Sequence, residues 1–311
     1  MKYAEVKEQF TALQAYVEGQ NYAGWDPYDG LNSKLFQATP LRHSRLARLA
    51  WIQLFKRNPI NLRVITGVPK GHNPKGLALF LSAYVHQQRR SPDAKRQIKI
   101  NALVKHILEI QTPGYSGACW GYNFDWQAKA FFQPRRTPTV VATSYVANAL
   151  LDTFELTGNP ELLRIARSSC DFVLKDLNRT SDAHGDFCFS YSPLDQTQIY
   201  NASLLGSRLL LRLFTHTHEE HLKTTALQSV RYCCRAQRSD GAWTYGTLPF
   251  HQWIDNFHSG FNLECLHDIM AYSGDYSFSE ALEKGKKFYF GNFFTELGEC
   301  KFYNDRLYPI D

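Results

Sequence analysis

The sequence predicts an all-α fold, an (α/α) toroid of about five to six helix hairpins forming a single domain over residues 1–311. Three observations point there. Segments that are apolar nearly all round alternate with segments apolar on one side only. Each apolar segment follows a loop that carries a glycine and an aromatic-x-aromatic pair. Gly158-Asn-Pro160 and Ser273-Gly274 separate the two segments in two of the pairs. A helix that is apolar on every side must be buried on every side, and an amphipathic one covers it from outside. Repetition of that unit closes an inner ring of helices within an outer one.

In chain order, Met1 to Tyr16 reads as an amphipathic helix with Glu5, Lys7 and Glu8 on its polar side. A helix near Leu41 to Phe55 follows, then a pair at Gly76 to Gln87 and Ala94 to Gln111. The loop Gly117-Ala-Cys-Trp120-Gly-Tyr122 opens the first clear repeat, with an apolar helix over Thr139 to Leu156. Gly158-Asn-Pro160 stops it, and Glu161 to Lys175 is the amphipathic partner. Gly185-Asp-Phe-Cys-Phe189-Ser-Tyr191 opens the second, with helices at Tyr200 to Phe214 and Glu219 to Arg235. Asp240-Gly-Ala-Trp243-Thr-Tyr245 opens the third, with an apolar helix at Asn256 to Tyr272 and an outer one at Phe278 to Phe290. Cys300-Lys-Phe302-Tyr303 echoes the loop once more. Tyr308-Pro-Ile-Asp311 stands where a further inner helix is expected, so the expectation is either an open ring or a shortened form of a longer toroid.

The net charge of +6 is modest, and its densest spots, Arg42–Arg48, Gln88–Arg90 and Arg135–Arg136, are short. Nucleic acid is therefore not the expected partner, whereas an acidic ligand is. Seven cysteines with no CxxC spacing argue against a disulfide framework and for a reducing, cytoplasmic compartment. No apolar run approaches the ~20 residues that cross a bilayer, so stable membrane insertion is not expected. GxxxxGK[ST], GxSxG and HExxH patterns are absent, and neither a metal nor a cofactor is expected.

Parallel inner helices aim their N-termini at one face, where their dipoles favour anions. The aromatic loops lie just before those N-termini. Candidate binding residues are therefore Trp25, Trp120, Tyr122, Arg135, Arg136, Tyr191, Trp243, Trp253 and Tyr303. Candidate catalytic residues are Asp125, Asp255, His258 and Tyr245. Each has a plainer reading: Trp120 and Trp243 as plugs between helix pairs, Asp255 as a helix cap, His258 as a core histidine. The turn Gly24-Trp-Asp-Pro-Tyr-Asp-Gly is read as a loop folded back over the cavity or as a packed Asp-Gly turn.

Trp25-Asp-Pro-Tyr-Asp-Gly, Gly241-Ala-Trp243-Thr-Tyr245, Trp253-Ile-Asp-Asn-Phe-His-Ser-Gly-Phe-Asn-Leu-Glu264 and Tyr308-Pro-Ile-Asp311 carry a resemblance over essentially the whole chain. It resembles α/α-toroid proteins encoded in bacterial exopolysaccharide gene clusters, of the VpsJ kind. More distantly it resembles the squalene cyclase and protein prenyltransferase toroids. The first resemblance implies a place in polysaccharide synthesis, with an acidic oligo- or polysaccharide and other synthesis proteins as partners. The second would imply a DxDD motif, which is absent, or zinc on an Asp-x-Cys and a later His. Asp186-Phe-Cys188 and Asp255-Asn-Phe-His258 echo that trio in letters more than in place.

Three functions follow as expectations. The first is a carbohydrate-active enzyme of hydrolase, lyase or epimerase type. Hydrolysis would use Asp125 and Asp255 as the two carboxyl groups; proton abstraction would use His258 or Tyr245. The second is a non-catalytic glycan-binding or scaffold toroid, and the third a zinc-dependent cyclase or prenyltransferase.

Overall fold

Twelve α-helices, three 3-10 turns and two short β-hairpins make up the regular structure among the residues that the computed structural model describes, 3–129 and 131–306. Met1 and Lys2 of the expected first helix, and the terminal Tyr308-Pro-Ile-Asp311, lie outside the described residues. Contacts gather the chain into two units: Met1–Gln111 with Trp120–Thr137, and Thr112–Cys119 with Pro138–Asp311.

The first unit holds α1 (Tyr3–Gly19), α2 (Lys34–Gln37), α3 (Arg45–Arg57), α4 (Arg63–Thr66), α5 (Pro74–Arg90) and α6 (Ala94–Glu109). The strands β1 (Trp126–Gln127) and β2 (Phe132–Gln133) pair antiparallel in the same unit. Asn73 and Asp93 cap α5 and α6 by accepting backbone N–H groups of Lys75 and Arg96. Leu77, Leu81 and Val85 recur at helical spacing on α5, as do Ile100, Leu103 and Ile107 on α6, and the two helices pack as a hairpin on those stripes.

The second unit is three successive helix hairpins. These are α7 (Val140–Thr157) with α8 (Pro160–Lys175), α9 (Tyr200–Thr217) with α10 (Glu220–Arg235), and α11 (Asn256–Ser273) with α12 (Ser279–Asn292). A β-hairpin, β3 (Arg179–Ser181) with β4 (Phe187–Phe189), precedes α9. Gly158 and Gly274 end α7 and α11 with φ of 71° and 70°, the left-handed conformation in which glycine carries no Cβ penalty. Helix α9 is buried on almost every residue and packs against α7, α10 and α11, whereas α10 buries one stripe, Leu222, Ala226, Ser229, Val230 and Cys233. That is the predicted alternation of inner and outer helices.

Two elements differ from the expectation. Helix α11 is not covered all round: it buries Asn262, Cys265, Leu266 and Ile269 on one side and leaves Phe257 exposed. Helix α9, read as apolar, carries two buried arginines. Arg212 reaches Asp152 at 2.7 Å and Glu155 at 2.8 Å on α7; Arg208 reaches Glu264 at 2.7 Å and Asp268 at 3.3 Å on α11. Their long aliphatic stems count as apolar surface against the helix, and the charge is matched at the tip.

The aromatic loops have a backbone task. The first N–H of each inner helix, which has no partner within the helix, donates to a carbonyl of the next loop. Val140 donates to Tyr191 at 3.0 Å, Tyr200 to Tyr245 at 3.4 Å and Asn256 to Phe302 at 2.9 Å. Each loop is thereby tied to the N-terminus of the inner helix before it.

Candidate active site

The three inner helices of the second unit begin alike in backbone and differ in chemistry. Thr139 caps α7 and its side chain accepts the N–H of Ala142; Ile199 precedes α9 with no side-chain cap; Asp255 caps α11 and accepts the N–H of His258. Three residues after the cap stand Ala142, Ala202 and His258. The first two show that the fold needs no titratable group there. Only the third turn carries an acid and a base.

Asp255 Oδ1 takes the His258 backbone N–H at 2.9 Å, and its Oδ2 lies 2.6 Å from His258 Nδ1. The Asp255 side chain is 0% exposed and that of His258 is 32% exposed. The carboxylate accepts, so Nδ1 carries the proton. In the neutral ring Nε2 is then the basic nitrogen. A buried carboxylate that fixes the tautomer and orientation of a partly open imidazole is the arrangement of a general base with its orienting group.

Aromatic rings surround this pair. Tyr245 stacks on Trp253 with centroids 4.2 Å apart and 14° between planes, and it meets His258 edge-on at 4.6 Å. Trp253 also meets His258 at 5.3 Å and Tyr303 at 6.4 Å. The bridge between Asp255 and Tyr303 brings the last loop beside the cap. Beside this cluster, and sharing Trp253 and Tyr303 with it, lies a cavity of about 360 Å³ lined by Gln252, Trp253, Ile254, Tyr303, Asn304, Asp305 and Arg306; His258 is not part of its lining. Arg306, over the Tyr303 ring at 4.5 Å, is a cavity residue that the sequence reading missed. Its only signal was its place three residues after the fourth aromatic loop. Five of the predicted residues, Tyr245, Trp253, Asp255, His258 and Tyr303, are thus gathered in one place.

The other predicted residues have different tasks. Trp120 and Trp243 are core plugs, 0% and 3% exposed. Their indole N–H groups donate to the carbonyls of Ile107 at 2.8 Å and Cys233 at 2.9 Å, near the ends of the preceding outer helices, which leaves no polar handle for a ligand. Tyr191 is buried, with its N–H on Asp195. The Asp255 side chain, expected to open onto the cavity, is fully covered, and its carboxylate holds the His258 backbone N–H and Nδ1.

In the first unit, Asp125 Oδ1 accepts the Arg135 backbone N–H at 2.7 Å, which clamps the loop around the β1–β2 hairpin. Arg135 projects outward, and Arg136 stands at φ 63° with its N–H on the Tyr122 carbonyl at 2.7 Å. Tyr122 stacks on Phe124. Trp25 donates its indole N–H to Val68 at 3.0 Å, and Asp29 holds Arg63 at 2.8 Å, so the Asp-Gly turn is a packed one. Asp26 in that turn faces Lys75; burial pushes the Asp26 carboxyl up and the Lys75 ammonium down. Among the described residues, no three His, Cys, Asp or Glu side chains converge as a metal site would require.

By structure the chain is similar to a cellobiose 2-epimerase from Spirochaeta thermophila, with a TM-score of 0.60, 12% identity, and coverage of 90% of this chain and 79% of that one. It is similar to D-mannose isomerase, with a TM-score of 0.57, 13% identity, and coverage of 83% and 72%. It is also similar to a glycosyl hydrolase family 88 protein from Bacteroides vulgatus, with a TM-score of 0.55, 10% identity, and coverage of 76% and 66%. All are α/α toroids. The fold class is that of the α/α toroids. At these identities the likeness is one of fold. No protein-family model matches the chain, and no curated protein matches it in sequence. Within the α/α-toroid frame, the inner-helix N-terminus that carries Asp255 and His258 is the one that departs from its siblings.

Proposed function

We propose that this α/α toroid is a carbohydrate-active enzyme in which His258 moves a proton on a sugar, as an isomerase, epimerase or lyase does. The observation that carries the reading is the 2.6 Å contact between His258 Nδ1 and a fully covered Asp255 carboxylate. Nε2 of the neutral ring takes the proton from a carbon next to a carbonyl or carboxyl group, and the imidazolium formed is stabilised by Asp255. Return of the proton to the neighbouring carbon, with a hydroxyl proton passing between the two oxygens, gives an isomer; return to the first carbon after the planar intermediate has turned its other face to His258 gives an epimer; expulsion of a leaving group from the adjacent carbon gives an unsaturated sugar. Trp253 and Tyr303 offer apolar ring surface to a pyranose, and Arg306 offers a cation to a carboxylate. The structurally similar proteins include an epimerase, an isomerase and a polysaccharide lyase, which supports sugar chemistry in general.

The hydrolytic route loses ground, because a carboxyl with no exposed surface reaches neither a glycosidic oxygen to protonate it nor an anomeric carbon to attack it. An acidic polysaccharide or its precursor as substrate, and a role in exopolysaccharide synthesis, complete the proposal; they rest on the sequence resemblance. The experiment is product analysis by NMR after incubation with a panel of aldoses, ketoses, cellobiose and oligouronates. An epimerised, isomerised or unsaturated sugar supports the reading. Release of free monosaccharide from a glycoside would point to hydrolysis, and binding without turnover to a scaffold.

A further inference from the structure

Between Gly30 and Pro92 the chain has eleven Lys and Arg residues and not one Asp or Glu, while the rest of the sequence is net acidic. The positive surplus is therefore concentrated in one stretch, which the shortness of the individual basic runs conceals. Arg63 is tied to Asp29 and Lys75 faces Asp26, but Lys34, Arg42, Arg45 and Arg57 are exposed.

The same stretch leaves aliphatic side chains in solvent: Leu35, Leu41, Leu46, Leu54, Val64 and Ile65 are all exposed, and all but Leu54 by more than half. They lie on the short elements α2, α3, α4 and the helical turn Pro40–His43. Three of these elements and the turn Asp29–Asn32 are layered over one small core of Leu31, Phe36 and Ile52. The Lys34 N–H on the Gly67 carbonyl sets α2 beside α4. On α3, Leu46, Leu54 and Arg57 share the outward side at spacings of eight and three, opposite the buried Ile52 and Phe55.

Aliphatic side chains interleaved with cations, on a layer of short helices with no acid among them, fit a surface that is apolar within and anionic at its edge. We propose that this face of the first unit docks on the surface of an anionic phospholipid membrane. The leucines and isoleucine enter the headgroup boundary, and the arginines meet the lipid phosphates. Nucleic acid would match the charge but leave the aliphatic groups without a partner. No helix among the described residues is long and apolar enough to cross a membrane, so the contact is peripheral.

The test is co-sedimentation of the full chain with vesicles of phosphatidylcholine, and of phosphatidylcholine mixed with phosphatidylglycerol, at low and high salt. Two double variants accompany it, Arg45→Gln with Arg57→Gln and Leu46→Ser with Ile65→Ser. Circular dichroism checks that both stay folded. The proposal expects binding to the anionic vesicles only, weakened by salt, roughly thirtyfold weaker without the two arginines and weaker again in the Leu46/Ile65 variant. It is overturned by the absence of binding to anionic vesicles at low salt. It is equally overturned if the Leu46/Ile65 variant binds as well as the parent while the protein holds double-stranded DNA or polyuronate as tightly, which would make the face a site for an acidic polymer. None of these residues belongs to the sugar site, so the outcome is independent of that reading.

Discussion

Asp255 both starts helix α11 and aims His258: one carboxylate oxygen caps the His258 backbone N–H at 2.9 Å and the other meets its Nδ1 at 2.6 Å. Two substitutions separate the tasks. Asparagine caps about as well as aspartate, so Asp255→Asn is expected to hold thermal stability within about 0.5 kcal/mol. It should still lower turnover roughly 100-fold, because the imidazolium loses its counter-charge. Asp255→Ala should in addition lose about 1 kcal/mol of stability. Melting curves beside initial rates check both; equal stability loss in the two variants would sink the division of tasks.

Gly285 offers a test of the core reading of Trp243. In a helix interior, Gly→Ala ordinarily stabilises by about 1 kcal/mol. Here an added Cβ would lie 2.8 Å from the Trp243 ring and 2.7 Å from Leu263. Gly285→Ala is therefore expected to destabilise by about 1–3 kcal/mol in denaturant titration. A gain in stability would mean that the Trp243 ring is free to move, as a binding-site ring would be.

The arginine network of α9 predicts a contrast between two similar-looking substitutions. Arg212→Met takes the guanidinium away from largely buried Asp152 and from Glu155 and should cost about 3 kcal/mol. Arg164→Met breaks an exposed pair with Glu161 and should leave stability essentially unchanged. Urea unfolding of the two variants side by side measures the difference.

Glu18 links the C-terminal end of α1 to the α5–α6 hairpin through Tyr84 and Lys99. Burial alone would raise its pKa; the hydrogen bonds from Lys99, Tyr84 and Gln14 outweigh burial and hold the carboxyl at about 2, below 4.5. A pKa depressed in the folded state means stability that is present above 4.5 and lost as pH falls toward 2. After allowance for solvent screening the loss is about 1 kcal/mol. Acid unfolding of Glu18→Gln should lack this component while the parent shows it.

The helices of the second unit were legible because their cause is local. Gly158, Gly274 and the caps Asn159 and Asp255 mark ends in the sequence itself, and the contrast between α9 and α10 is a contrast of periodicity. The loop tryptophans were not separable by type. Trp243 and Trp253 read equally well as ligand platforms, and only the direction of an indole N–H toward a helix-end carbonyl puts one in the core. Arg208 and Arg212 were passed over because their acid partners lie more than fifty residues away on α7 and α11. The acid–base pair could have been read more sharply: an N-cap aspartate followed three residues later by histidine places both on one turn, whereas Thr139 and Ile199 are followed at that distance by alanine. The pairing of Asp125 with Asp255 had no such local support, and the structure gives each carboxylate a different task.

The most direct measurement of the central claim is deuterium exchange from heavy water into a bound sugar, followed by NMR for the parent and for His258→Gln. Intrinsic tryptophan fluorescence gives the affinity of each. Transfer of the proton by His258 predicts exchange at the carbon next to the carbonyl or carboxyl group in the parent, and its loss in His258→Gln with affinity nearly unchanged. Exchange that persists in His258→Gln, or a parent that binds the sugar and exchanges nothing, would contradict it.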